Sequence, residues 1–177
     1  MLGRGFCLRV LFSLAGMLAA SHFGYSQSLD WRSRIQALMD KADSLSMLSQ
    51  VTFHLDNIVK PGKLVKEAWH YTTDREKVVV FEVHYFERDT EFTEVYYLNR
   101  GDLVCMEQYQ IHYPLDDDDK IVWGEVCFFD GNQVRQHVTI GENQSVSKYS
   151  RDDYSKLMQF RQRYRTLQEN MALMRRW

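Results

Sequence analysis

The chain has 177 residues, 45% of them hydrophobic and 26% charged, a globular composition that excludes a largely disordered protein. Two prolines and nine glycines exclude collagen-like and proline-rich classes, and no internal repeat points to a solenoid or propeller. Basic and acidic residues nearly balance, 22 against 24, which gives no electrostatic footprint for nucleic acid.

Arg4 and Arg9 flank the start of an apolar run from Val10 to Ala20, and the small residues Gly24 and Ser26 precede Gln27. The run is too short to span a membrane comfortably. Residues 1–26 are therefore expected to be a secretory signal peptide cleaved before Gln27, and residues 27–177 a single α+β domain. The mature chain would be periplasmic or extracellular, with no transmembrane segment left. Cleavage removes Cys7 and leaves Cys105 and Cys127, an even pair that suits a disulfide in an oxidising compartment. There is no Cys-x-x-Cys and no Cys/His cluster at zinc spacing, so neither a metal nor a cofactor is expected.

Residues 29–48 read as a helix, because Trp31, Ile35, Leu38, Ala42 and Leu45 form one apolar stripe behind Ser28 as N-cap. Residues 49–63 are ambiguous. Val51 to Leu55 suits a strand, and Lys60-Pro61-Gly62-Lys63 is a break. From Leu64 the pattern supports six strands at about 64–72, 77–87, 92–99, 103–113, 120–129 and 133–140. The links between them are too short for parallel crossovers, so the strands form an antiparallel β-meander. Residues 151–177 read as a long amphipathic helix capped by Ser150, with Leu157, Phe160, Tyr164, Leu167, Met171 and Met174 along one seam. It carries seven basic residues against three acidic ones, suited to an acidic body or to an anionic partner, and its seam also suits a homodimer.

Hairpin arithmetic then links several candidate sites. A two-residue loop at Arg100-Gly101 sets Glu94 opposite Glu107. A loop from Tyr113 to Asp119 sets Cys105 opposite Cys127, Glu107 opposite Glu125 and Tyr109 opposite Trp123. The disulfide and the glutamate row are one expectation, because a one-residue slip would put the cysteines on opposite faces. Like charges directly opposed destabilise a sheet, so such a row requires arginines from the C-terminal helix, bound Ca²⁺, or a shared proton useful for acid–base chemistry. Glu94, Glu107 and Glu125 are thus the catalytic candidates. Tyr85, Tyr96, Tyr109 and Trp123 fall on the same inferred face, as core or as a carbohydrate or peptide platform, with Tyr96, Tyr109 and Trp123 as the ligand-binding candidates.

The histidines add no metal motif, although the same register sets His84 and His137 on one face. The Asp116–Asp119 run lacks the EF-hand pattern and reads as a solvated loop. No nucleophile elbow, metalloprotease motif or phosphate loop is present. Two functional readings remain. The leading one is an exported, non-enzymatic binding or interaction module for a protein or small ligand. The other is a hydrolase or Ca²⁺ site built on the glutamates. An open cleft with a glutamate titrating near neutral pH would favour the enzyme, and a closed, arginine-covered row the module.

Overall fold

The structure, a computed structural model, describes residues 30–60, 63–115, 118–141 and 153–176. The expected signal peptide, both serine N-caps and part of the aspartate run lie outside these residues. The chain divides into two compact units, Met1–Asp40 and Lys41–Trp177.

Helix α1 covers residues 30–46 and crosses that boundary. Its part in the first unit carries an Arg34–Asp30 ion pair (3.3 Å) and a Gln36–Asp40 hydrogen bond (2.9 Å), both at i,i+4 spacing. Ile35, Met39 and Ala42 are its buried positions, which follows the expected stripe with Met39 added.

The second unit is built on seven antiparallel strands, one more than the six expected. They are β1 (Val51–Lys60), β2 (Lys63–Asp74), β3 (Lys77–Glu87), β4 (Thr90–Asn99), β5 (Asp102–His112), β6 (Lys120–Asp130) and β7 (Gln133–Gly141). The additional strand is the ambiguous segment: β1 pairs with β2 from Val51↔Tyr71 to Lys60↔Lys63. Spatial order equals chain order, so the sheet is a pure meander. Helix α2 (Asp153–Met174) follows. Its 22 residues span about 33 Å, close to the length of the strands it crosses.

Helix α2 buries Leu157, Phe160, Leu167 and Met171 against one sheet face, with Trp69, Phe81, Val83, Tyr96, Met106 and Cys127 in the same core. Phe81 lies in the middle of this layer, stacked on Tyr96 with ring centres 4.6 Å apart, and Phe160 and Tyr164 lie over it. The seam read as a possible dimer contact therefore packs within the chain. Asp153 at the start of α2 accepts a hydrogen bond from the Val134 backbone N–H (3.2 Å), which ties the helix to β7.

Five of the six strand pairs contain a register shift; one lies at Val59 near the β1–β2 turn, and the other four set which residues reach α2. In the β2–β3, β4–β5 and β6–β7 pairs, the strand register skips the third residue of the returning strand: Val79, Val104 and Arg135. In the β5–β6 pair the skipped residue is Val122. The turns themselves are tight. Arg75-Glu76 (φ 50° and 68°) and Arg100-Gly101 (φ 57° and 98°) have the two positive φ values of a hairpin turn whose twist matches its strands.

Candidate functional site

The expected glutamate row is not assembled. The hairpins close in the expected registers, Asn99↔Asp102 and His112↔Lys120, but each bulge then advances the pairing by one residue. Beyond Val104, Glu94 faces Gln108, and beyond Val122, Gln108 faces Glu125. Glu94 and Glu125 thus lie on the α2 face. Glu107, opposite Val95 and Val126, lies on the reverse face. The same step separates the cysteines, since Cys127 pairs with Met106 and Cys105 with Phe128. They point to opposite faces and are not disulfide-bonded, which corrects the expected Cys105–Cys127 bridge.

On the α2 face a third carboxylate appears that the sequence reading missed. Glu67 shares the inward alternation of Val65, Trp69 and Tyr71 on β2, and that alternation was its only signal. Arg163 reaches down from α2 between Glu67 and Glu94. Its Nε and Nη2 donate to the two oxygens of Glu94 (both 2.9 Å), and its Nη1 donates to Glu67 Oε1 (2.8 Å). Asn57 and the Trp69 indole donate to Glu67 (2.9 and 3.0 Å), and the Tyr96 hydroxyl donates to Glu94 (2.6 Å). Burial works against the Arg163 charge, but the Glu94 and Glu67 carboxylates outweigh it and hold the guanidinium above its ordinary value. Deleting one member of such a buried pair costs about 3–5 kcal/mol in general, because its partner keeps an uncompensated charge.

Lys156 lies seven residues before Arg163 on the same helix stripe and neutralises the third carboxylate, pairing with Glu125 Oε1. His137 Nε2 lies 2.5 Å from the same oxygen, and the Cys127 thiol donates to it at 3.7 Å. Burial pushes that thiol up to about 12. Glu125, Cys127 and His137 are chemically fit to hold a metal ion, with ligand atoms all within 4.8 Å of one another. Lys156 already supplies a buried cation at the shared oxygen, so an incoming metal ion would have to share a carboxylate with an ammonium group.

The reverse face carries a separate polar row. His84 lies between two carboxylates, with Nε2 3.0 Å from Glu82 and Nδ1 2.9 Å from Glu91. Both partners accept only, so the arrangement suits the doubly protonated ring, and the Glu82 and Glu91 bonds raise the histidine above its ordinary value against the opposing effect of burial. His70, edge-on to His84 at 5.4 Å, is lowered by burial and by that neighbouring charge. His137 lies on the α2 face, so the expectation that it shares a face with His84 fails for the same bulge-driven reason. Among the described residues, Glu107 receives one hydrogen bond, from the Tyr109 hydroxyl (2.9 Å), and burial raises its carboxyl.

The three aromatic candidates also separate. Tyr96 is fully buried beneath α2, and Tyr109 lies on the reverse face beside Gly124, where a Cβ would come within 3.0 Å of its ring. Trp123 alone remains half-buried on the α2 face. It closes a cross-strand row of Tyr85, Phe92, Gln110 and Trp123 that ends at Gly141. Only glycine fits there, because φ is +76° and a Cβ would meet the Val122 carbonyl oxygen at 2.3 Å.

Where this row meets α2, a cleft of about 190 Å³ is lined by Asn57, Glu67, Tyr85, Gln159, Gln162 and Arg163. Among the described residues, the Tyr85 hydroxyl and the Gln159 and Gln162 side-chain amides make no hydrogen bond within the protein. A larger groove of about 300 Å³ lies between the Glu76 and Arg100 turns and the end of α2. Its cations Lys77, Arg100 and Arg175 are surface groups, whereas the smaller cleft rests on the buried ion network. No protein-family model matches the chain, and neither a curated protein nor a solved structure resembles it significantly.

Proposed function

We propose that the chain acts as an exported, non-enzymatic binding module whose site is the cleft between α2 and the Tyr85–Trp123 row. The observation that carries this reading is that the carboxylates of the α2 face are engaged by Arg163 and Lys156. What stays open beside them is a set of unengaged amides, a hydroxyl and aromatic rings, the composition of a recognition surface. A hydrolase on the three candidate glutamates would need two of them within reach of one substrate. Glu107 faces away from Glu94 and Glu125, and those two are buried in ion pairs. Export itself rests on the basic and apolar pattern of residues 1–26.

The test is a thermal-shift screen of the mature chain and of Gln162→Trp, which fills the cleft from an exposed helix position. The panel holds saccharides, amino acids, nucleosides and divalent cations, with chromogenic esters and glycosides run in parallel for turnover. A compound that raises the melting temperature of the parent but not of Gln162→Trp is expected. A panel in which nothing distinguishes the two proteins would end the reading, as would turnover abolished by Glu94→Gln.

A further inference from the structure

We infer that the cleft takes a neutral, polyhydroxylated ligand, a short saccharide, an assignment that rests on the binding function proposed above and names its ligand class. The two ionised groups lining the cleft, Glu67 and Arg163, are bonded to each other at 2.8 Å. An anion entering the cleft would meet the Glu67 carboxylate and a cation the Arg163 guanidinium, so the lining selects neither sign of charge. The remaining polar lining is amide and hydroxyl: Asn57, Gln159, Gln162 and Tyr85. Each amide offers a donor and an acceptor side by side, and a pair of neighbouring sugar hydroxyls offers the same combination in return.

The apolar part of the site suits the same ligand class. The Tyr85 ring is stacked on Phe92, with centres 5.0 Å apart and planes within 4° of parallel. From there the row continues through Gln110 to Trp123, three strand spacings or about 14 Å from Tyr85. Sugar rings present C–H faces to aromatic rings while their hydroxyls turn to amides, and here two rings, an amide and a third ring follow one another along one line. A row longer than a single sugar ring fits two or three units. An extended peptide would instead seek an unpaired strand edge for its backbone, and this site lies on a sheet face flanked by paired strands.

The experiment is calorimetric titration of the full mature chain with neutral di- and trisaccharides, alongside amino acids and tripeptides. Gln159→Ala and Tyr85→Phe are the test variants, and Tyr85→Phe keeps the stacked ring while removing only the hydroxyl. Saccharide binding that weakens about tenfold in each variant, with unchanged melting temperature, is the expected result. Saccharide binding that neither variant affects would overturn the site. Binding of an amino acid or peptide that both variants weaken, with no saccharide bound, would overturn the ligand class and leave the binding function standing. Absence of binding by every compound would overturn the ligand class and the binding function together.

Discussion

Glu107 and Glu94 show how far one residue's surroundings depend on which face it occupies. Glu94 has a bidentate guanidinium and a tyrosine hydroxyl, whereas Glu107 has one phenol and a half-buried setting that raises its carboxyl. A carboxyl raised in the folded state favours folding while it is protonated. That contribution is fully present below the ordinary glutamate range and is lost as pH climbs through the raised value. Glu107→Gln is therefore expected to raise the melting temperature at pH 7 by about 2–4 °C, the response of a chain this size to about 1 kcal/mol. Below pH 4 the two proteins should melt alike. A variant that melts lower than the parent at pH 7 would show that the carboxylate charge is used.

At the level of elements, the sequence made the helices and six of the seven strands legible, because their apolar periods and turn residues are local signals. The seventh, β1, was obscured because Val51-Thr52-Phe53-His54-Leu55 is followed by Asp56 and Asn57 rather than by more apolar residues. Asn57 proves to be inward, as a donor to Glu67. Strand ends near the turns were also legible, since Asn99↔Asp102 and His112↔Lys120 follow from loop length alone. The bulges at Val104 and Val122 were not, because valine is an ordinary strand residue and nothing in its local sequence marks it as unpaired. Each bulge inverts the faces of everything beyond it, and so the disulfide, the glutamate row and the aromatic face were misread together. This yields a direct check on register. Thiol labelling of the unfolded, unreduced chain should count both Cys105 and Cys127, and the intact mass should not change on reduction. A mass change on reduction would restore the unbulged pairing.

For the molecule as a whole, the acidic sheet and the basic helix are halves of one electrostatic design. Glu67, Glu94 and Glu125 lie on one face, and the cations that compensate them, Arg163 and Lys156, both belong to α2. Truncation after Gly141 would leave three carboxylates among exposed apolar residues. Such a chain is expected to be unfolded at pH 7 by circular dichroism and to regain strand signal only on acidification, when the carboxylates discharge. A truncated chain that melts cooperatively at neutral pH would show that the sheet needs no helix.

The compensating cations also come after all seven strands in chain order. A ribosome delivers β1 to β7 before Lys156 and Arg163, and during that interval the sheet lacks these counter-charges. The charge balance of that sheet face is therefore complete only once α2 has been added. The order of elements along the chain thus separates the laying down of the acidic sheet from its neutralisation.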